Sequence, residues 1–322
     1  MSFKYINASY SVFSYAVRRF VGIFLSPPLP PAISVELSSK CNLGCPECFT
    51  GARLLRRRSE FMSYDLASVI ASVFRGRALS AWLSFQGEPL MHPQFFQIAE
   101  LFAGMNQVIS TNGHYLDSET CTRLAESSLK EIIISYDGVT PEAYSLYRRG
   151  GDHSRVTEGI IMLAGMAGKR RSAPKITLQF LLHRGNEHEA GEAAAFAASI
   201  GAGFRIKSIQ VLNNDRAAEW IPADQRRSRY INSDGQWKIA GVPERGCIRM
   251  WTTAVITTDG DVVPCCYDKN ASHAMGNLHN QSFSDIWQGQ RYRLFRDAVM
   301  TSRSMIDICS QCPQGRRIFF KR

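Results

Sequence analysis

Apolar positions along this chain change their spacing near residue 32. Before it, Ile6, Tyr10, Phe13, Val17, Phe20 and Phe24 recur at steps of three and four, while Asn7, Ser11, Ser14 and Arg18 share another face. That spacing predicts an amphipathic helix over 5–25, ended by Pro27-Pro28-Leu29-Pro30-Pro31. Its apolar face would either pack on the rest of the chain or lie on a membrane surface. From Ala32 onward strand-like and helix-like stretches alternate. Strands are predicted over 33–37, 81–86, 107–111, 131–136, 176–182 and 204–209, and helices over 64–74, 93–102, 118–127, 141–147, 154–168 and 187–200. Six strands alternating with helices predict an α/β fold with a parallel sheet and right-handed crossovers. Curled, it would be a partial (β/α)6 barrel with its chemistry at the C-terminal strand ends. Residues 213–240 read as a polar, irregular bridge, so the chain divides into 1–31, 32–212, 213–240 and 241–322.

A chain of 322 residues holds one large core and a smaller module. Hydrophobic and charged shares of 45% and 20% are ordinary for a soluble globular protein. The formal charge of +10 is spread along the chain, and its densest run is Arg53 to Arg58 with two leucines interleaved. Such a run is a solvated basic face by default; the sharper reading is a phosphate-bearing or otherwise acidic substrate nearby. No nucleic-acid motif accompanies the charge, so nucleic acid is not the expected partner. Arg18-Arg19-Phe20 faintly resembles an export signal, but the apolar run Val21 to Leu25 is too short to serve as one. No stretch reaches transmembrane length without a charge.

Cysteine supplies the candidate chemistry. The nine cysteines fall as 41/45/48, 265/266 and 309/312, with Cys121 and Cys247 alone. Tight groups in a chain this long point to metal ligation in a reducing compartment, the cytoplasm, rather than to disulfides. In Cys41-Asn42-Leu43-Gly44-Cys45-Pro46-Glu47-Cys48, Gly44 and Pro46 break any helix and leave a loop that gathers three sulfurs. Three thiolates can hold three irons of a [4Fe–4S] cluster and leave the fourth open to a small molecule. A structural zinc loop and a thioredoxin-like pair are the alternatives, though the pair leaves Cys41 unexplained. Cys121, in a helical stretch, reads as a buried bystander.

Three turns follow strands on the same rim: Gln86-Gly87-Glu88-Pro89, Thr111-Asn112-Gly113 and Ser135-Tyr136-Asp137-Gly138. Each alone is an ordinary turn. Together they could hold an amino acid by both ends, a carboxylate such as Glu88 accepting from an ammonium and an arginine gripping a carboxylate.

With these residues in view, the chain resembles the radical SAM superfamily. The cysteine spacing, Gly87-Glu88-Pro89 and the Ser135–Gly138 turn carry the likeness. The stretch from Ala143 to Asp152, with Arg148, is similar to the subgroup bearing a C-terminal SPASM or twitch module. The resemblance implies that S-adenosylmethionine chelates the open iron and is reductively cleaved to methionine and a 5′-deoxyadenosyl radical, which takes hydrogen from substrate. It further implies that Cys41, Cys45 and Cys48 ligate this cluster, that Gly87, Glu88 and Pro89 face the methionine amino group, and that Ser135 and Arg148 hold its carboxylate. The family usually places an aromatic residue before the last cysteine; this chain has Glu47.

Near the C-terminus, Thr258-Asp259-Gly260 before Val262-Val263-Pro264-Cys265-Cys266 predicts a hairpin that returns one cysteine towards Cys247. Cys309 and Cys312 add a C-x2-C pair. By their chemistry these ligands suit zinc or a fully ligated Fe–S cluster equally. Resemblance to the SPASM/twitch pattern (Cys247, Gly260 and Cys265, then Gly276-Asn277-Leu278 and Ile286-Trp287) implies one auxiliary [4Fe–4S] cluster on Cys247, Cys265, Cys309 and Cys312. Neighbours on an extended strand face opposite ways, so one site is not expected to take both Cys265 and Cys266, and the family's spacing after Gly260 implies that Cys265 is the ligand. The implied function is hydrogen abstraction from an unidentified substrate, giving a two-electron oxidation or C–H modification. A flavodoxin- or ferredoxin-type donor would feed electrons. The substrate would be a sugar- or lipid-linked small molecule or, alternatively, a ribosomal peptide. A zinc- or cluster-stabilised binding protein on the same fold is the reading from another class.

Overall fold

The structure is a computed structural model and describes residues 3–241, 245–310, 312 and 313, and the backbone of 319 and 320. The chain forms two compact units. The first comprises residues 1–40, 55–108 and 243–314; the second comprises 41–54, 109–242 and 315–322.

In the first unit α1 (Phe3–Ala16) continues into one wide turn over 17–21 and stops at Gly22, whose φ of 84° suits only glycine comfortably. Strands β1 (Ala32–Val35), β2 (Ser80–Trp82) and the start of β3 (Asn106–Thr111) run parallel. Between them lie α2 (Tyr64–Phe74) and α3 (Phe95–Leu101). Helix α2 shows why the periodicity was legible. Ser63 caps it by accepting from the Leu66 amide, and Leu66, Ala67, Ile70, Ala71 and Phe74 bury one face.

The C-terminal part of this unit is α9 (Arg249–Thr252), β9 (Thr253–Ile256), β10 (Asp261–Val263), β11 (Gly276–Asn277), α10 (Phe283–Gln288), α11 (Gln290–Ser302) and α12 (Asp307–Ser310). Strand β9 pairs parallel with β1 and antiparallel with β10, so this part extends the sheet in the order β11-β10-β9-β1-β2-β3. Gly260, at φ 83°, closes the predicted hairpin turn. The extended strand ends at Val263, however, and Cys265 and Cys266 lie in the turn that follows, so strand alternation does not decide their directions.

One buried cation organises that part. Arg296 is fully buried; its Nε donates to the Met250 carbonyl at 2.9 Å and its Nη1 to the Trp287 carbonyl at 2.8 Å. Its guanidinium lies 4.2 Å from the Tyr292 ring centre and 4.3 Å from that of Trp287. Burial lowers its pKa to about 10, so it stays charged at neutral pH.

The second unit carries the end of β3, then α4 (Ser118–Glu126), β4 (Glu131–Ser135), α5 (Pro141–Tyr147), α6 (His153–Gly168), β5 (Lys175–Leu182), α7 (Ala190–Ser199), β6 (Gly203–Ser208) and the short α8 (Ala217–Trp220). Strands β4, β5 and β6 are parallel, and the C-terminal β12 (Phe319–Phe320) adds antiparallel to β6. Ile132, Ile133 and Ile134 are all buried, as expected for a strand covered on both faces. Thus the six strands and their helices occur in the predicted order.

Two expectations need correction. Residues 213–240 are not irregular throughout, because β7 (Tyr230–Ser233) and β8 (Gln236–Ile239) form a hairpin. Its two-residue loop, Asp234-Gly235, has φ of 54° and 79°, and the Asn232 side chain accepts from the Gly235 amide. Of the two readings of the N-terminal helix, packing of its apolar face on the rest of the chain does not hold: Asn7, Ser11 and Ser14 point inward, while Ile6, Tyr10 and Phe13 are exposed. Among the described residues no helix is long and apolar enough to cross a membrane.

Candidate functional site

In the second unit the cysteine loop follows directly on Lys40 and closes on itself. The Cys48 amide donates to the Cys45 carbonyl, and the Ala52 amide to that of Cys48 at 2.7 Å. Gly51 is packed so closely that a Cβ there would sit 2.4 Å from the Cys45 nitrogen. The Gly44 amide donates to the Arg149 carbonyl at 2.9 Å, which ties the loop to the turn after α5. Leu43, Cys45, Tyr147, Ile209 and Trp220 form an apolar cluster against which Cys41 and Cys48 also pack.

Two side chains turn N–H groups onto the sulfurs. Arg148 Nη1 lies 3.9 Å from Cys45 Sγ, and Asn112 Nδ2 lies 3.8 Å from Cys41 Sγ. Burial pushes the Cys45 thiol up, and the Arg148 charge offsets only part of that rise. Three sulfurs on one self-closing loop, with N–H donors directed at two of them, are a donor set that fits an Fe–S cluster with one iron lacking a protein ligand. Glu47 is turned to other work: its carboxylate accepts from the Leu212 amide at 2.6 Å.

Arg148 does not stand alone. Its Nε donates to Asp137 Oδ2 at 2.6 Å, and Asp137 is fully buried. The other carboxylate oxygen accepts from the Leu181 amide at 2.7 Å, and the Asp137 carbonyl accepts from Asn186. Asn112 is held as firmly, donating to Asn42 Oδ1 at 2.8 Å and accepting from the His114 amide. His114 Nε2 accepts from the Asp152 amide at 2.7 Å; its other nitrogen therefore carries the proton and donates to Asn112. Burial lowers the His114 pKa, consistent with that neutral ring. His114 was not singled out from sequence, and Asn112 and Asp137 were named only as members of the rim turns, without roles of their own. The signal available was their place in or beside the turns that end β3 and β4. Ser135 is buried as the last residue of β4.

In the first unit Gly87 has φ 67°, and a Cβ there would meet the Ser38 and Lys40 carbonyl oxygens at 2.4 and 2.6 Å. No other residue fits. The Glu88 amide donates to the Lys40 carbonyl at 2.8 Å, one residue before Cys41. The Glu88 carboxylate is buried and caps the short turn that begins at Pro89, accepting from the Leu90 amide at 3.0 Å. Arg53, Arg56 and Arg58 of the basic run are exposed, as its composition predicts, and only Arg57 turns inward. Arg57 is buried in a two-pronged pair with Glu36, 2.8 Å on each side, and the same carboxylate accepts from the Thr258 amide.

The first unit also gathers the remaining cysteine groups. Cys247, Cys265 and Cys309 lie in one buried cluster with Met250, Trp251, Val299 and Met300, and Cys312 is buried as well. Burial works against the charge on Arg303, yet the neighbouring Cys247, Cys312 and Cys309 hold its pKa above the usual arginine value. Its Nη1 donates to the Gly246 carbonyl at 3.1 Å. Burial raises the Cys309 thiol to about 11 and the Cys265 thiol well above its ordinary value. Cys266 is only half-buried and lies 3.6 Å from Arg249 Nη1. Cys121 is fully buried in α4, its thiol donating to the Gly159 carbonyl.

Comparison with known proteins agrees with this chemistry. Residues 35–197 match the radical SAM superfamily, and residues 247–313 match SPASM, an iron-sulfur cluster-binding domain. The mycofactocin maturase MftC of Mycobacterium tuberculosis is 25% identical over 294 residues, covering 83% of this chain and 72% of that protein. The PqqA peptide cyclase of Streptomyces rochei is 24% identical over 315 residues, covering 88% and 82%. Streptococcus suis SuiB, solved bound to precursor peptide SuiA, superposes with a TM-score of 0.65 at 16% identity, over 94% of this chain and 74% of that one. The cofactors are thus a [4Fe–4S] cluster with S-adenosylmethionine, and auxiliary Fe–S chemistry in the C-terminal module. On these grounds the chain is an enzyme of TIM-like α/β fold with a C-terminal SPASM domain, and it belongs to the radical SAM superfamily.

Proposed function

We propose that this enzyme cleaves S-adenosylmethionine reductively and takes hydrogen from an unactivated C–H bond of its substrate. One auxiliary [4Fe–4S] cluster assists a two-electron oxidation or C–H modification. Cys41, Cys45 and Cys48 hold the first cluster; Gly87, Glu88, Pro89, Ser135 and Arg148 bind S-adenosylmethionine. Cys247, Cys265, Cys309 and Cys312 hold the auxiliary cluster and leave Cys266 outside it. When bound, the first cluster and S-adenosylmethionine supply the reducing electron and the hydrogen-abstracting group. The observation that carries this reading is the loop whose sulfurs receive N–H groups from Arg148 and Asn112.

The protein's own residues set the conditions. Asp137 fixes one edge of the Arg148 guanidinium, which leaves its other N–H groups to face Cys45 and the carboxylate of the cofactor. Apolar packing by Tyr147, Ile209 and Trp220 limits water around the loop. A fully cysteine-ligated auxiliary cluster favours electron transfer over substrate binding, because no iron is left open. A flavodoxin- or ferredoxin-type protein supplies the electrons. For the substrate we propose a sugar- or lipid-linked small molecule, a class that suits the outward-facing aromatic helix α1. A ribosomal peptide is the second reading, supported by the similarity to the PqqA peptide cyclase.

The test is release of 5′-deoxyadenosine by anaerobically reconstituted protein with a strong reductant. Replacing Cys41, Cys45 and Cys48 together by Ala should abolish release and halve the iron content from about eight atoms to about four. Colourless protein with stoichiometric zinc, or release that survives the triple replacement, would refute the assignment.

A further inference from the structure

We infer that α1 and the segment after it dock this enzyme on the surface of an anionic lipid bilayer. The helix is seated by polar groups. Asn7 Nδ2 donates to the Leu29 and Arg77 carbonyls at 2.7 and 3.0 Å, and Ser11 and Ser14 are fully buried. Tyr15 adds an edge contact to Trp251 with ring centres 5.3 Å apart, and Arg18 pairs with Asp297 at 2.7 Å. Anchored in this way, the helix presents its large apolar side chains to solvent. Phe3, Ile6, Tyr10, Phe13 and, beyond the helix, Phe20 are between 43% and 84% exposed. A helix that covered its own apolar face would gain about 25 cal/mol per Å² of apolar surface removed from water. Forgoing that gain with so many side chains on one short element indicates that another surface covers them.

Charge selects the occupant. Residues 1–35 contain no carboxylate, and although Arg18 is offset by its pair with Asp297, Lys4 and Arg19 add positive charge. Arg293, on the exposed side of α11, places its guanidinium 5.0 Å from the ring centre of Phe24. Aromatic side chains flanked by cations suit the headgroup region of an anionic bilayer. A second copy would bring like charges together instead, in a chain already at +10. The helix has 14 residues, too few to cross a bilayer that requires about 20, so it would lie in the surface plane.

Docking is independent of the catalytic reading, and so is its test. Reconstituted full-length protein is sedimented with phosphatidylcholine vesicles, with and without phosphatidylglycerol, and its self-association is followed by analytical ultracentrifugation. Binding to the phosphatidylglycerol vesicles, weakened by salt, is the expected result. The double variant Phe13→Asp/Phe20→Asp should lower the bound fraction at least about tenfold. Lys4→Glu/Arg293→Glu, which leaves the apolar face intact, should lower it on the anionic vesicles only. Circular dichroism and iron content should match the parent in both, because all four side chains lie at or near the surface. The inference is overturned by absence of sedimentation, by equal binding to both vesicle types, or by binding that survives the Phe13/Phe20 change. A concentration-dependent dimer that the same change abolishes would assign the face to a second copy.

Discussion

Asp137 and Arg148 offer the sharpest quantitative test. Replacing Asp137 by Ala leaves a buried guanidinium without its counter-ion, a loss of about 3–5 kcal/mol. It also removes the acceptor of the Leu181 amide, which adds about 1–3 kcal/mol. Arg148→Met strands the opposite charge, yet Asp137 keeps the Leu181 bond, so the loss should be smaller. The double variant Asp137→Ala/Arg148→Met removes both charges and retains only the Leu181 penalty, about 1–3 kcal/mol. The double variant should therefore be more stable than Asp137→Ala alone. Urea unfolding of the four anaerobic proteins measures this, provided the slopes agree. Losses that add to within about 0.5 kcal/mol would show that the two side chains do not act as a pair, and the account of how Arg148 is held would fail.

Further outcomes follow from the same geometry. In the Cys41/Cys45/Cys48 triple-Ala background, Cys265→Ala should abolish the auxiliary cluster's EPR signal and Cys266→Ala should leave it; the reverse would transfer the ligand to Cys266. Glu88→Gln should preserve the turn through its remaining carbonyl oxygen and weaken S-adenosylmethionine binding roughly 10- to 150-fold. Unchanged affinity would reduce Glu88 to a cap for the Leu90 amide. His183 has its pKa lowered to about 4, first by burial and then by the Arg148 charge. An unfolded histidine takes up its proton near pH 6.5, so the stability from this residue is complete above that value and falls by about 3 kcal/mol as the pH drops towards 4. His183→Phe should flatten that part of the pH–stability curve, and an unaltered slope would show that the ring is not buried as a neutral group.

Much of the fold was legible because its elements are locally self-consistent. Helices α2 and α5 span the residues that their periodicity predicts, and the apolar run of β4 could be little else in an alternating chain. The cysteine loop was legible for a similar reason, since three sulfurs within eight residues constrain one another without the rest of the chain. What sequence could not supply was partnership across distance. Nothing local to Asp137 says that it meets Arg148 rather than solvent, or that Arg57 leaves the basic run to pair with Glu36. The 230–239 hairpin was a different kind of miss. Its Asp-Gly turn signal was present, but the flanking strands are only four residues each and the apolar Tyr230 and Ile231 of the first are neighbours, so the alternation that would frame the turn is weak. In α1 the periodicity identified two faces correctly but not which one is inside, which the packing of Asn7, Ser11 and Ser14 decides.

The buried Arg296 bears on how long the enzyme lasts. Zinc fingers and similar small modules collapse when their metal leaves, because the metal is most of their core. Here Arg296 joins the carbonyls of Met250 and Trp287 and lies on the rings of Trp287 and Tyr292, so the SPASM core has a bond network with no sulfur in it. An auxiliary cluster lost to oxygen should leave a folded scaffold with its cysteines still gathered. Repair would then require only iron, sulfide and reductant, and damage by air becomes a matter of maintenance rather than of resynthesis.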